Sequence, residues 1–167
     1  MPVGDRTQLA GTAYDRLRML STCRNIAMVG LSSNQYNPSA FAGIYLAANG
    51  YNVIPVNPSQ AGKEILGRRV YGRVDEIDQP VDIVDVFRPA AEAPEIARQA
   101  VKIGAKVLWL QLGVISEEAA RIARKGGLEV VMDRCCKIEH ARFFGGLRTI
   151  GLSTGVITSR LALRIPV

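Results

Sequence analysis

The sequence predicts a doubly wound α/β domain, in which a parallel sheet of about five strands carries helices on both faces. Short apolar runs of strand length alternate with segments in which apolar residues recur at helical spacing. Strands separated by helices require crossover connections, which are right-handed and place the strands in parallel. The chain has 167 residues, 48% of them hydrophobic, and is long enough to enclose one core without disulfides.

The first half of the chain begins this alternation. An apolar run over 25–32 that ends in small residues predicts the first strand, and residues 39–49 predict a helix that stops at Gly50. The second strand is predicted over 52–57, although its Pro55 lacks an N–H group for the sheet ladder.

Residues 59–78 are less regular than the segments around them. They predict a loop with a turn over 62–67, an extended piece over 68–71 and one helical turn over 74–77.

The second half of the chain repeats the alternation. It predicts a strand over 81–87, a helix over 90–103, a strand over 106–112, a helix over 116–125 and a strand over 128–132. Pro94 falls in or near the first turn of its helix, where proline is tolerated. The helix over 116–125 has acidic residues first and basic residues last, which suits the helix dipole.

The two ends of the chain lie outside this pattern. Residues 5–20 predict an additional helix on the outside of a domain that spans residues 1–140. Residues 141–167 hold four arginines and no acidic residue, and we interpret them as a basic tail without a predicted structure. Either end offers a contact for a second copy of the chain or for a protein partner.

Charge and composition exclude several classes of protein. The net charge of +6 belongs largely to the tail, because residues 1–140 hold 17 basic and 15 acidic residues, so no nucleic-acid partner is expected. No run of 18 apolar residues and no apolar stretch of signal-peptide length occurs, which predicts a cytoplasmic protein that does not span a membrane. Three cysteines without CxxC spacing and a single histidine predict neither a disulfide framework nor a metal site.

A ligand of such a sheet is expected beyond the carboxyl ends of the strands, where the strand order reverses. The residues that follow the five predicted strands there include Gly30, Ser32, Ser33, Asn57, Pro58, Phe87, Arg88, Gln111, Gly113 and Cys135. The turn after the first strand suits an anion, but it lacks the GxGxxG pattern of dinucleotide sites. An NAD site also favours an acid where Asn57 stands, so we predict a nucleotide-like ligand other than NAD.

Structural roles compete with ligand binding at several positions. Small residues suit any tight turn between a strand and a helix, and Arg88 is equally explained by a pair with an acidic residue. Gln111 is polar within a buried strand and must find a partner. Asp82 and Asp85 are interpreted as structural, and His140 is expected at the surface.

Six motifs that occur in order carry a resemblance to a known family. They are IAMVGLS at 26–32, GYNVIPVNP at 50–58, GKEILG at 62–67, VDIVDVFR at 81–88, VLWLQLGV at 107–114 and VMDRC at 131–135. Together they resemble the small stand-alone CoA-binding proteins. Those are single Rossmann-like domains, similar to the CoA-binding domain of the succinyl-CoA synthetase alpha subunit. The resemblance covers about residues 12–140.

The resemblance implies that coenzyme A, or an acyl-CoA, is the ligand. It implies Gly30, Ser32, Ser33 and Ser39 around the pyrophosphate, Asn57 and Pro58 near the adenosine, Lys63 at the 3′-phosphate, Val86, Phe87 and Arg88 beside the nucleotide, and Gln111 and Gly113 along the pantetheine arm. Asn37 stands where family members usually carry arginine, so phosphate contacts are expected to shift to Lys63, Arg88 or the backbone.

The resemblance also bears on activity. In the synthetase, catalysis needs a further domain with a phosphorylated histidine, for which this chain has no room. We therefore predict a non-catalytic CoA-binding protein, with an NAD(P)-linked or other nucleotide-binding oxidoreductase on the same fold as the alternative. Cys135 is interpreted as a site of thiol exchange with CoA, its pKa lowered by Arg134 and Lys137, or else as an inert buried cysteine.

Overall fold

The computed structural model describes residues 11–145 and is built on a five-stranded parallel sheet. The strands of residues 11–145, numbered along the chain, are β1 (Asn25–Val29), β2 (Asn52–Val56), β3 (Glu64–Ile65), β4 (Arg68–Arg69), β5 (Ile83–Val86), β6 (Val107–Leu110) and β7 (Glu129–Val131). Strands β3 and β4 form a separate antiparallel hairpin, and the other five lie in the order β2-β1-β5-β6-β7. The order reverses between β1 and β5, so the switch point lies beside the loop that follows β1.

Within residues 11–145, five α-helices cover the two faces of this sheet, as the sequence predicts for a doubly wound domain. They are α1 (Ala13–Thr22), α2 (Pro38–Ala48), α3 (Ala93–Lys102), α4 (Glu117–Lys125) and α5 (Cys136–Phe144). Helices α3 and α4 pack on one face, and α1, α2 and α5 pack on the other. No helix within residues 11–145 combines the length and the apolar character that a membrane crossing requires.

The central strands read as continuous apolar runs because both of their faces are covered. In β1, Ala27 and Val29 contribute to the core under α3 and α4, whereas Ile26 and Met28 contribute to the opposite core. This division follows from the two-residue repeat of a strand. Every residue of β5 and β6 is buried, which explains why hydrophobic runs located these strands so well.

The position of β2 accounts for its proline. Strand β2 lies at the edge of the sheet, where the missing N–H of Pro55 breaks no ladder between two strands. The Pro55 carbonyl accepts a hydrogen bond from Tyr71 N over 2.9 Å, and Asn57 N donates to Tyr71 O over 2.8 Å. The irregular segment after β2 therefore folds back and covers part of this edge.

Within the described residues, the helix predicted over 5–20 is present from Ala13, as α1. Thr12 precedes α1, its hydroxyl accepts a hydrogen bond from Asp15 N over 3.1 Å, and Asp15 Oδ2 accepts from Thr12 N over 2.9 Å. This capping box fixes the helix start at Ala13, after Gly11 with its positive φ of 63°. Residues 5–10 of the predicted helix lie outside the described residues.

Helix α5 was not predicted, and it crosses the expected domain boundary at residue 140 by four residues. Its Glu139 accepts hydrogen bonds from Arg16 Nε over 2.8 Å and from Arg142 over 2.7 Å, and all three side chains are buried. The helix is thus joined to α1 by a buried ion-pair network. The remainder of the predicted tail, from residue 146, lies outside the described residues.

Candidate functional site

The loop after β1 is built on a glycine that admits no side chain. Gly30 has a φ of 90°, and its N–H donates to Val56 O over 2.8 Å. A Cβ atom at this position would lie 2.9 Å from Phe87 O and from the Cδ atom of Arg88. Gly30 therefore lets the ends of β1, β2 and β5 approach one another closely.

Two of the predicted serines shape this loop internally. Ser39 is buried and its Oγ accepts from Ser32 N over 3.2 Å, while Ser32 Oγ accepts from Asn37 Nδ2 over 2.8 Å and from Asn34 N over 3.0 Å. Ser33 is exposed. Within residues 11–145, the backbone N–H groups of Ser33 and Gln35 donate no hydrogen bond. They lie just before α2, where the helix dipole also favours an anion.

Asn57 holds the end of β2 to the end of β1. Its Nδ2 donates to Leu31 O over 3.0 Å, and its Oδ1 accepts from Ser59 N and Ser59 Oγ over 3.1 and 2.8 Å. The side chain is buried, so its amide is satisfied by the protein itself. Pro58 follows at the exposed start of a short 3₁₀ turn.

Arg88 takes the structural role that the sequence left open. It forms a bidentate pair with Glu92, with Nε and Nη2 each 2.8 Å from a carboxylate oxygen. The two residues border a cavity of about 210 Å³, the arginine cavity, lined by Val29, Val56, Pro58, Gly72, Arg73, Arg88, Glu92, Glu95, Ile96 and Gln99.

A second cavity, the serine cavity, lies on the other side of the loop. It has a volume of about 290 Å³ and is lined by Leu31, Ser32, Ser33, Gln35, Ala40, Ile44, Glu64, Ile65 and Leu66.

The third and largest of these cavities, of about 490 Å³, opens between the loop, the ends of β5 and β6, and the start of α5. This aromatic cavity is lined by Tyr36, Pro38, Phe41, Phe87, Gln111, Leu112, Cys135, Lys137 and Ile138. Tyr36, Phe41 and Leu112 are 80%, 54% and 65% exposed, so a concave apolar surface faces solvent. Such a surface fits an apolar chain with a few polar groups.

A buried carboxyl lies beneath the aromatic cavity. Asp85 is fully buried in β5, in register with Met28 of β1 and Trp109 of β6. Its Oδ1 accepts a hydrogen bond from Gln111 Nε2 over 2.5 Å, and its Oδ2 has no partner within residues 11–145. Burial raises the pKa of Asp85 to about 7, although the hydrogen bond from Gln111 opposes this shift.

Cys135 lies at the edge of the same cavity, immediately before α5. It is half-buried, and burial raises the pKa of its thiol. Lys137 lowers that pKa only in part, and Asp85 raises it further. The expectation of a lowered pKa at Cys135 is therefore wrong, although Lys137 acts in the expected direction. Cys136 is fully buried.

His140 does not lie at the surface as expected. It is 6% exposed, its Nδ1 is 2.9 Å from the Tyr45 hydroxyl, and its ring contacts Tyr51 and Phe144. Burial lowers its pKa. It borders a cavity with Arg24 and Tyr51, which precede β1 and β2, so it lies at the opposite end of the sheet from the loop. Over residues 11–145 no group of three His, Cys, Asp or Glu side chains is placed to hold a metal ion.

The predicted site residues thus fall into two groups. Those that line the three cavities are Ser32, Ser33, Pro58, Phe87, Arg88, Gln111 and Cys135. Those that line none of the three are Gly30, Ser39, Asn57, Lys63, Val86 and Gly113. Gly113 has a φ of 82° and donates its N–H to Asp133 Oδ1 over 2.8 Å, and Lys63 is exposed.

The sequence reasoning did not identify four apolar residues of the aromatic cavity and its buried carboxyl. The missed residues are Tyr36, Pro38, Phe41, Ile138 and Asp85. Tyr36 and Phe41 are two aromatic residues that flank residues 37–40 beside the expected ligand, and Asp85 interrupts an otherwise apolar strand. Both features are signals that could have been used.

Known proteins resemble this chain over the region that contains the sheet and the three cavities. Residues 24–141 match the family model described as the CoA binding domain. The uncharacterized protein YneT of Bacillus subtilis is 37% identical over 123 residues, which cover 74% of this chain and 90% of that protein. A hypothetical protein from Pyrococcus horikoshii OT3 is 36% identical with a TM-score of 0.77, and the match covers 81% of this chain and 94% of that one.

A more distant match concerns the fold alone. The dinucleotide-forming acetyl-coenzyme A synthetase 1 of Ca. Korarchaeum cryptofilum is 23% identical with a TM-score of 0.61. That match covers 70% of this chain and 28% of the synthetase. The arrangement of strands and helices is therefore shared with one domain-sized part of a much larger protein.

Proposed function

Because the chain belongs to the family of CoA binding domains, we propose that it binds coenzyme A, or an acyl-CoA, at the carboxyl ends of its strands without catalysing a reaction. The observation that carries the proposal is the aromatic cavity beside a loop with free backbone donors. An elongated ligand with an anionic middle and a mostly apolar arm fits this pairing.

The pyrophosphate is proposed to lie on the loop after β1. The free N–H groups of Ser33 and Gln35 point to this location, as does the start of α2. The absence of a side chain at Gly30 keeps the loop close to the ends of β2 and β5. Residues 30–37 offer no cationic side chain, so we assign the phosphate contacts there to backbone donors.

The two ends of the ligand are assigned to different neighbours. The adenosine is proposed to lie near Pro58 and the arginine cavity. Lys63, which is exposed and has no ion pair within residues 11–145, is proposed as the partner of the 3′-phosphate. Arg88 reaches a phosphate only by releasing or sharing Glu92. The pantetheine arm is assigned to the aromatic cavity, where Phe87 and Leu112 offer apolar contact and Gln111 offers an amide.

The positions of the nucleophilic and basic groups support a non-catalytic role. Cys135 lies at the aromatic cavity with a raised pKa, which disfavours the thiolate. His140, the single histidine, lies at the other end of the sheet with Nδ1 engaged by Tyr45. The free state of all three cysteines fits the reducing cytoplasm in which we place the protein.

Calorimetric titration of the full chain with CoA, acetyl-CoA, NAD and ATP tests the proposal. We expect binding of CoA or acetyl-CoA and an accompanying rise in the unfolding temperature. Binding of NAD without CoA would favour the oxidoreductase alternative. If neither CoA nor acetyl-CoA binds, the proposed function is wrong.

A further inference from the structure

The Asp85 carboxyl lies at the centre of the sheet, where burial disfavours its ionised form. It is fully buried in a central strand, and no cation contacts it within residues 11–145. The titratable groups that face it from the start of the adjoining α5 are the thiols of Cys135 and Cys136, whose pKa values the Asp85 carboxyl raises. Burying a polar group with one unpartnered oxygen costs free energy, so a role beyond packing is expected.

The contact that Asp85 makes fixes an amide at the cavity wall. Gln111 is 4% exposed, and its Nε2 donates to Asp85 Oδ1. Its Oε1 accepts no hydrogen bond from residues 11–145, and this oxygen keeps some solvent-accessible surface. Since Gln111 lines the aromatic cavity, this oxygen is the part of the amide that opens toward it.

The two orientations of a glutamine amide present opposite chemistry to a ligand. With Nε2 toward Asp85, the cavity receives a carbonyl oxygen, which only accepts hydrogen bonds. With the amide turned over, the cavity would receive an NH₂ group, which only donates. Asp85 Oδ1 can accept from Gln111 Nε2 whether or not the carboxyl carries a proton, which permits the first orientation. The ionised carboxylate only accepts, so above the raised pKa of Asp85 it also excludes the second orientation.

We propose that Asp85 is a positioning residue that holds the Gln111 amide with Oε1 toward the aromatic cavity, so that the cavity selects ligands with an amide N–H. The pantetheine arm of CoA carries two such groups, so this inference rests on the proposed function. To the proposed function it adds that the aromatic cavity presents a hydrogen-bond acceptor to the ligand. Gln111 makes the contact, and Asp85 acts only through Gln111.

Calorimetric titration of three variants and the wild type at pH 8, where Asp85 is ionised, tests this inference. Asp85→Asn, Gln111→Ala and the double variant are compared with the wild type, using CoA and, as a ligand without the pantetheine arm, adenosine 3′,5′-bisphosphate. The side-chain amide that Asp85→Asn introduces can donate to Gln111 Oε1 and turn the glutamine amide over. We expect each single variant to bind CoA about ten-fold more weakly, as for the loss of one hydrogen bond. The double variant should bind no more weakly than Gln111→Ala, and affinity for the bisphosphate should not change.

A second measurement needs no Asp85 variant to fold. In the proton–nitrogen NMR spectrum of the unliganded wild type, the Gln111 side-chain amide, assigned with Gln111→Ala, should be shifted downfield and exchange slowly with solvent. Fast exchange of the Gln111 side-chain amide overturns the inference. So does an Asp85→Asn variant that binds CoA as tightly as the wild type, or that loses affinity for CoA and for the bisphosphate equally. A double variant that binds CoA more weakly than Gln111→Ala also overturns it. Failure of the wild type to bind CoA while its Gln111 amide stays protected would instead reject the proposed function.

Discussion

Asn57 Nδ2 donates a hydrogen bond to the backbone carbonyl of Leu31 over 3.0 Å, joining the end of β2 to the loop after β1. Only a residue that donates can make this bond. An aspartate, which an NAD site favours at this position, only accepts and would face a carbonyl oxygen. The same asparagine that argues against NAD in the sequence is thus a structural brace in the fold.

Substitution of Asn57 by aspartate is expected to destabilise the protein by about 1–3 kcal/mol. The variant loses a buried donor and places a carboxylate against the Leu31 carbonyl. Urea unfolding at neutral pH measures the change. Ser59→Ala is the matched control, since it removes only the hydroxyl that donates to Asn57 Oδ1, and its cost should stay below about 1 kcal/mol. An Asn57→Asp variant as stable as the wild type would show that the hydrogen bond from Asn57 to Leu31 does not stabilise the fold.

Removal of Glu92 is expected to strengthen CoA binding. In the wild type both Nε and Nη2 of the Arg88 guanidinium are held by Glu92, and Glu92→Ala frees a cation beside the arginine cavity. The free energy of unfolding should change by less than about 1 kcal/mol, because the pair is partly exposed. Calorimetry with CoA gives the affinity.

Glu118→Ala is the control for this prediction, since it removes a similar exposed partner of Arg98 on α3, away from the three cavities. It should leave the CoA affinity unchanged. An unchanged or weaker affinity in Glu92→Ala would show that Arg88 does not reach the ligand.

The strands could be predicted because burial on both faces gives them a simple sequence signature. Helix α5 could not, because its inward residues include Glu139, His140 and Arg142 and it lacks an apolar stripe. What stabilises it is a buried pair with Arg16, which lies 123 residues earlier in the chain. A contact of that sequence separation has no local pattern.

The candidate site shows the same limit. Gln111 could be recognised because a polar residue inside a buried strand needs a partner. Its partner Asp85 lies 26 residues away on the neighbouring strand, and only the register of β5 against β6 brings them together. The aromatic cavity likewise depends on where α5 begins, and that helix was missing from the predicted elements.

The stability of the wild type is expected to fall as the pH rises from about 4 to 7, relative to Asp85→Asn. The pKa of Asp85 is about 7 in the folded protein and near 3.8 when unfolded, so the native state retains a proton that the unfolded state has lost. Deprotonation then opposes folding, by up to about 4 kcal/mol above pH 7 at 1.36 kcal/mol for each pKa unit.

Urea unfolding of both proteins at pH 5 and pH 8 measures this difference. Carboxyls with lowered pKa values, such as Asp75 and Asp82, are common to both proteins and cancel in the comparison. Asp85→Asn should be the more stable protein at pH 8, with a smaller advantage at pH 5. A difference that does not change with pH would contradict the raised pKa.

The reactivity of Cys135 is expected to be low at neutral pH and to depend on the occupant of the aromatic cavity. Burial raises the pKa of its thiol, so alkylation by iodoacetamide should be slow at pH 7 and accelerate as the pH rises. Bound CoA should slow the alkylation further, because Cys135 lines the cavity assigned to the pantetheine arm.

CoA disulfide is expected to add one CoA to Cys135. The Cys135 thiolate attacks the S–S bond and releases the second CoA as its thiolate. Mass spectrometry of wild type and Cys135→Ser detects the adduct, and fully buried Cys136 is the internal control. An adduct that persists in Cys135→Ser, or none in the wild type, would reject thiol exchange at this position.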